Sequence, residues 1–511
     1  MNRSTYKKHT FLLSCMIITL FSNSVMPLQV DAHKRHLTIQ PDTTTFLHNP
    51  LNGWVIYLNR NWDSDFWQKE DYEHLSVSEN SADTVNITNY ASTCYFRAGW
   101  RFFEPVEGQY AWLNPNSRLM RLLGSVIQHG CKIAFRIVVD GRDQGQNTPL
   151  YVKEAGAKGF TDNSGIWTPY VDDPIFQMKY EKFICALGQH FNDPDIMSFI
   201  DGYGFGKWGE GHSVAYSDYN HKKTVFKWNI DLYARVFSKV PTLINYHRLI
   251  GDTISWGEPS KDSEDMLDYA VRQGCSLRHD AFGMTDYYQD WEKQYAKKWR
   301  YIRPVIMEGG WITGAHHHYW TDSSKKYRKG YSEDVRQGEF SMSAEAHVNM
   351  MDFRVGDETY SWFKKAFPLV KRFLAQGGYR LYPSEISYDN SADHNGLLII
   401  HHQWNNLGWG YCPTNIPQWN QRYKVAFAFI NKDGQICKIF VDSQTDLSKW
   451  YYNAPVKYIT ALSLSGLPRG RYTLAVGLFD VRGNKIGIHM AVSQEKQHDL
   501  WLKIGEIKIN K

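Results

Sequence analysis

Met197-Ser198-Phe199-Ile200-Asp201-Gly202-Tyr203-Gly204-Phe205-Gly206-Lys207-Trp208-Gly209-Glu210-Gly211-His212 is a short apolar run that breaks into polar and aromatic residues punctuated by glycine. The run has the length of a buried strand, and the five glycines after it permit tight turns and close backbone approach. A second stretch, Pro304-Val305-Ile306-Met307-Glu308-Gly309-Gly310-Trp311, repeats the plan: a strand, then glutamate, glycine and tryptophan. Outward from these two, β-rich runs alternate with amphipathic stretches, the pattern of βα units around a parallel sheet. Candidate strands cover 53–58, 95–99, 133–139, 197–203, 242–246, 276–279, 305–307 and 348–353, and helical spacing marks 117–128, 175–191, 224–240 and 262–273 between them. Eight strands fit a closed (β/α)8, or TIM, barrel, which places the chain in the α/β class.

A last amphipathic helix over 358–375 ends at Gly377-Gly378. Beyond it the pattern changes to strands and turns, with hairpin chemistry at Asn431-Lys432-Asp433-Gly434 and Arg482-Gly483-Asn484-Lys485. The expected organisation is a leader over 1–32, a barrel over 33–378 and an antiparallel β-sandwich over 379–511. The leader has Lys7 and Lys8 before an apolar run and Val30-Asp31-Ala32 at its end, the pattern of a signal peptide, so the product is expected to be secreted or periplasmic. Leu12-Leu13-Ser14-Cys15 offers the alternative of a lipoprotein, although the apolar run continues past the cysteine. No later stretch reaches the ~18 apolar residues of a membrane span.

The net charge of +5 is scattered and gives no case for a nucleic-acid partner. Aromatic residues make up 15%, with 19 tryptophans and 32 tyrosines; such rings suit the faces of sugars, though a large core uses them too. The cysteines beyond the leader show no CxxC spacing and are expected as buried free thiols.

In a parallel barrel, chemistry sits at the carboxyl ends of the strands. Glu210 and Glu308 follow the fourth and seventh strands, which face each other across an eight-stranded ring. Two carboxyl groups about 5–5.5 Å apart on either side of a sugar serve as nucleophile and acid/base; each could instead be a satisfied strand-end carboxylate. Trp208 beside Glu210 provides a low-dielectric wall that would raise the carboxyl's pKa, as a general acid requires. Asp140, Asp201 and Asp280 are candidates to accept bonds from hydroxyls, with structural ion pairs as the alternative. Trp208, Trp311 and Tyr203 are candidates to stack on sugar rings, with core packing as the alternative. His212, His247 and His279 are candidate donors. His316-His317-His318 lacks a third ligand at metal spacing, so no metal is expected, and acid/base and nucleophilic work by two carboxylates needs no cofactor. The chain has no GxSxG elbow, P-loop or HExxH.

Phe96-Arg97-Ala98-Gly99-Trp100-Arg101-Phe102-Phe103-Glu104-Pro105-Val106-Glu107-Gly108-Gln109-Tyr110-Ala111-Trp112 resembles the strand-two segment of retaining barrel glycosidases of clan A, including β-galactosidase-type families. Within that superfamily the chain looks closest to secreted bacterial barrel-plus-sandwich proteins of unknown function. The resemblance implies hydrolysis of β-linked glycosides, with Glu210 as acid/base, Glu308 as nucleophile, Arg97 bonded to the nucleophile and Trp100 in the same motif near the sugar. Clan members carry Asn directly before the acid/base, whereas this chain has Gly209; Asn245 is a substitute donor to the 2-hydroxyl. Two competitors remain: a carbohydrate-binding protein on a barrel that no longer turns over, and an inverting pair in which Asp201 or Asp280 works with Glu308. Trp404, Trp409, Trp419 and Trp450 are either a glycan platform or part of a sandwich that braces the barrel.

Overall fold

A computed structural model describes residues 34–58, 63–142, 144–252, 258–284, 286–313, 322, 324–493 and 496–510. The leader, the alternative lipidation site at Cys15 and His316-His317-His318 lie outside them.

Eight parallel strands close into a barrel in sequence order: β1 (Gly53–Tyr57), β2 (Ala91–Gly99), β3 (Lys132–Val138), β4 (Met197–Asp201), β5 (Thr242–Asn245), β6 (Ser276–Phe282), β7 (Val305–Gly309) and β8 (Val348–Asp352). Closure is made by β8 on β1, with Met350 opposite Gly53 and Asp352 opposite Val55. The helices of ten residues or more among the described residues are α1 (Arg118–Gln128), α2 (Pro174–Phe191), α3 (Lys222–Val236), α4 (Ser263–Arg272), α5 (Asp290–Trp299), α6 (Ser332–Glu345) and α7 (Asp357–Gln376). Local chemistry sets their starts. Asp173, for example, accepts from the N–H groups of Ile175 and Phe176 at 2.9 Å while Pro174 fills the first turn of α2.

All eight strand positions agree with the sequence pattern. Helices α5 and α6 escape it, and for α6 the reason is plain: its buried face carries Ser332, Arg336, Glu339 and Ser343 among the apolar residues, so no clean apolar stripe exists.

The C-terminal half is two facing sheets built on β9 (Leu381–Asp389), β10 (Leu397–Asn406), β11 (Tyr423–Ile430), β12 (Ile436–Asp442), β13 (Val456–Ser463), β14 (Gly470–Asp480) and β15 (Trp501–Asn510). One sheet has the order N-terminal strand, β9, β10, β13; the other runs β15, β14, β11, β12 with three short strands attached. The N-terminal strand, Lys34–Thr38, falls in the barrel by the sequence boundary but pairs antiparallel with β9, Lys34 opposite Asp389.

The sandwich docks where the barrel strands begin. The Asn349 amide donates to Tyr411 O at 2.8 Å and to Leu51 O at 3.1 Å, and Trp409 Nε1 donates to Val348 O at 3.0 Å. Trp404, Trp409, Trp419 and Trp450 are all buried, Trp404 stacked on Trp450 at 4.9 Å. They are core and form no exposed platform for a glycan. The cysteines after the leader are free: Cys94, Cys131, Cys275 and Cys412 are buried, Cys185 is half-buried and Cys437 is exposed.

Candidate active site

Because strand side chains alternate, the barrel interior is built in layers. Val55, Tyr95, Ala134, Phe199, Leu243, Ile306 and Met350 form an apolar layer continuous with the sandwich core. Two residues further along the same strands stand Tyr57, Arg97, Arg136, Asp201, Asn245, Glu308 and Asp352. Six of the seven are polar or charged in a space without bulk water, so each must find a partner.

They find one another. Arg136 Nε donates to Asp201 Oδ2 at 2.7 Å and its Nη1 to Asp280 Oδ2 at 2.9 Å. Tyr95 donates to the same Asp201 oxygen at 2.7 Å, and its ring lies 4.3 Å under the Arg278 guanidinium. Arg278 Nη2 donates to Glu308 Oε2 at 2.7 Å. Arg97 Nη1 reaches Glu210 Oε1 at 2.6 Å, and its Nη2 reaches both Glu308 Oε2 and Asp280 Oδ2, the latter at 3.1 Å. Arg354, just past β8, donates to Glu308 Oε1. Four guanidiniums thus face five carboxylates, Asp201, Glu210, Asp280, Glu308 and Asp352, in one connected network.

One negative charge in excess, buried, favours one retained proton. Burial pushes Glu308 up to about 7 against the pull of Arg354 and Arg97. Burial likewise raises Asp352. At Asp280, burial is overcome by Arg136, Arg97 and Arg278, which hold it well below the carboxylate range. At Glu210 burial is outweighed by Arg97 and the hydrogen bond to His212, so it lies below its usual value. This order is the reverse of the sequence expectation, in which Trp208 raises Glu210, the general acid, and Glu308 is the nucleophile. At Glu210 the contact with Arg97 and the hydrogen bond to His212 outweigh burial, whereas at Glu308 burial outweighs the arginines that touch it.

Glu210 stands after a tight turn, Lys207–Gly209, in which Trp208 takes φ 54° and Gly209 φ 70°. The loop crosses β3 so closely that a Cβ on Gly204 would overlap the Ile137 carbonyl oxygen. Two side chains fix the Glu210 carbonyl oxygen: Asn245 Nδ2 at 2.8 Å and His247 Nε2 at 3.1 Å. Leu249 N–H donates to His247 Nδ1 at 3.0 Å, which makes Nε2 the protonated nitrogen; burial, with His212 and His279 adding to it, keeps the ring neutral by lowering its pKa well below the usual value. Asn245 also donates to Asp280 Oδ2 at 3.1 Å and accepts from Asp280 N at 3.3 Å. Its amide is fully committed, so it does not replace the missing donor to a 2-hydroxyl; it holds Glu210 in place.

Above this layer opens a cavity of about 760 Å³. Of the residues singled out from sequence, Arg97, Trp208, Glu210, Asn245, His247, His279, Asp280, Glu308 and Trp311 line it. The remaining five do not. Trp100 is buried against Phe183, ring centroids 5.1 Å apart, with Nε1 on Glu104 Oε2 at 2.8 Å; it begins a helical turn that points outward from the barrel. Tyr203 takes φ 57° and turns into the core against Phe226. Asp201 faces inward but is fully buried beneath the cavity floor. Asp140 is buried and holds Arg142, whose N–H and Nε it accepts at 2.9 Å. His212 sits behind Glu210, its Nε2 3.3 Å from Oε2. Trp100 and Tyr203 therefore offer no stacking face, and Asp140, Asp201 and His212 act on other side chains.

Sequence reasoning missed Tyr57 and Arg354, both on the cavity wall, and the interior cations Arg136 and Arg278. Tyr57 ends β1 and Arg354 follows β8, so the strand-end rule could have found both. A second buried cluster shapes the wall: Arg336 binds Glu339 at 2.7 Å and also Glu358. Those carboxylates accept the N–H groups of Gly310 at 2.7 Å, Ile312 at 2.6 Å and Thr313 at 2.7 Å, clamping the segment that carries Trp311. Among the described residues no His, Cys, Asp or Glu cluster has metal-binding geometry, and no helix is long and apolar enough to cross a membrane.

Fold and site together define an eight-stranded βα barrel with a buried ion-pair network opening on a carboxylate-lined cavity. The sequence matches no protein-family model and no curated protein. Among solved structures the chain is similar to the β-amylase catalytic domain of Paenibacillus polymyxa, at 10% identity over 63% of this chain and 97% of that one, TM-score 0.42. It is similar to the exo-β-1,4-mannosidase Op5Man5 of Opitutaceae bacterium strain TAV5, at 16% identity over 66% and 62%, TM-score 0.40. It is also similar to a GH30 endoxylanase of Clostridium papyrosolvens C71, at 9% identity over 84% and 97%, TM-score 0.36. The likeness is one of fold.

Proposed function

We propose that this chain is an exported glycoside hydrolase that cleaves β-linked glycosides with retention, Glu210 acting as acid/base and Glu308 as nucleophile. The observation that carries the reading is Arg97, whose two terminal nitrogens each hold one of these carboxylates at the floor of the cavity. Neighbouring nitrogens of one planar guanidinium fit the close spacing of a retaining pair, about 5–5.5 Å, better than the about 6.5–9.5 Å of an inverting one.

In the first step Glu308 attacks the anomeric carbon as the proton of Glu210 passes to the departing oxygen. In the second, Glu210 takes a proton from water, which displaces Glu308 and restores the starting configuration. Without a sugar, burial favours a proton on Glu308 and the contact with Arg97 disfavours one on Glu210. A glycosidic oxygen that takes the place of Arg97 at Glu210 Oε1 removes the contact that holds this carboxyl low. Burial then raises it, and the proton retained by the network moves from Glu308 to Glu210. Trp208, Tyr57 and one face of Trp311 supply apolar walls for the sugar. Two carboxyl groups accomplish this chemistry without a cofactor.

A non-catalytic carbohydrate-binding barrel is the second reading, favoured by one observation: both oxygens of Glu308 are engaged by arginines. Hydrolysis of aryl β-glycosides and oligosaccharides by the mature protein, by Glu210→Ala and by Glu308→Ala, with azide added, separates the two. Turnover lost in both variants, with glycosyl azides of opposite anomeric configuration on rescue, supports retention. Sugar binding without turnover in the wild type overturns it in favour of the binding protein.

A further inference from the structure

The strand-two arginine is not the only cation on Glu308. Arg354 follows β8 at φ 58°, a conformation that L-residues adopt sparingly and that marks a position fixed by its surroundings. Its guanidinium carbon lies 4.0 Å over the Trp311 ring and 4.7 Å over the Tyr57 ring, so the planar group packs on two aromatic side chains, one just past β7 and one at the end of β1. The residue is buried, and its Nη1 donates to Glu308 Oε1. Arg97 and Arg278 both donate to the other oxygen, Oε2.

We propose that Arg354 is a positioning residue for Glu308: packed on Trp311 and Tyr57, it fixes the direction of Oε1 and supplies a charge that opposes the effect of burial on this carboxyl. The proposal rests on Glu308 being the nucleophile. Two oxygens held from opposite sides leave the carboxylate plane a single orientation. The holder of Oε1 is tied to the aromatic wall that a sugar touches. Arg354 occupies one face of Trp311. The chain from wall to nucleophile is short: the Glu339–Arg336–Glu358 clamp sets Trp311, Trp311 and Tyr57 set Arg354, and Arg354 sets Glu308.

The groups that bear on the charge of Glu308 are Arg97 on β2, Arg278 and Asp280 on β6, Asp352 and Arg354 at the end of β8, and Tyr57 on β1. Glu210 joins them through Arg97. Of these, Arg354 is the only one in contact with Oε1 among the described residues. Burial lifts Glu308 to about 7, which puts its titration in a convenient range.

The test uses the full chain and reads the carboxyl directly. The infrared band of the protonated Glu308 carboxyl, assigned by its loss in Glu308→Gln, is followed against pH in the wild type, Arg354→Met and Arg354→Lys. Arg354→Met is expected to raise the midpoint by about one pH unit or more, a tenfold gain in proton affinity, and Arg354→Lys to restore part of it. Wherever the wild type turns over, the acid limb of kcat/KM is expected to move up with the band. A midpoint that moves less than about twofold in Arg354→Met, or as far in Arg354→Lys as in Arg354→Met, overturns the proposal. Should Arg354→Met not fold, Arg354→Gln, which can still donate a hydrogen bond but carries no charge, takes its place with the same expectation. A protein without turnover would refute the hydrolase reading while the infrared titration still decides the role of Arg354.

Discussion

Replacing Glu308 with glutamine should make the protein more stable at neutral pH and leave it nearly unchanged in acid. Folding raises this carboxyl from 4.5 to about 7. A group raised by folding contributes stability that is fully present below the unfolded value and is lost as pH rises through the folded one. The gap is worth about 3 kcal/mol, and with the side chain 2% exposed no allowance for solvent screening is needed. At about pH 4.5 both side chains are neutral and nearly isosteric, so the two proteins should start alike. By about pH 8.5 the wild type has lost what the glutamine keeps, and the variant should lead by up to about 3 kcal/mol. Urea denaturation of both proteins at fixed steps across that range gives the difference curve, in which every other titrating group cancels to first order. A difference that stays within about 0.5 kcal/mol, or one that favours the wild type increasingly with pH, refutes the claim that the network holds its retained proton at Glu308.

Arg136→Met should destabilise by about 3–5 kcal/mol, because Asp201 and Asp280 lose a fully buried partner, and a denaturant midpoint checks it; a change below about 1 kcal/mol would mean the other arginines repair the gap. Trp404→Ala should cost about 3–5 kcal/mol and leave sugar binding at the barrel unchanged, as expected of a brace; weaker binding to insoluble glycan without loss of stability would return the sandwich to the status of a binding module.

The fold was legible because the signals for it are local. Each of β1 to β8 is a short apolar run with a polar break, and four of the helices between them carry an apolar stripe. Helix α6 was hidden because Arg336 and Glu339 occupy its buried face, and Glu358, the second partner of Arg336, lies on the next helix. The site was legible at strand ends, where Glu210, Asp280, Glu308 and Trp311 reach the cavity as the strand-end rule requires. That rule fails for close neighbours of these residues. Asp201 ends its strand yet lies beneath the floor, while Trp100 and Tyr203 follow theirs and turn away through a helical turn and a left-handed residue.

The deeper omission concerns Arg136, inside Lys132–Val138, and Arg278, inside Ser276–Phe282. A barrel strand is enclosed on both sides, so a guanidinium in mid-strand demands a carboxylate in the interior, and that demand is written in the sequence. The partners are not. Asp201 and Asp280 meet Arg136 only because β3, β4 and β6 belong to one closed ring, and the ring closes between residues far apart in the chain. The same closure reverses the proton order between Glu210 and Glu308. A carboxyl's neighbours in sequence suggest an apolar wall, whereas its neighbours across the barrel are cations. Charge balance over the whole ring, and not the immediate sequence neighbours, therefore sets the order in which Glu210 and Glu308 take up a proton.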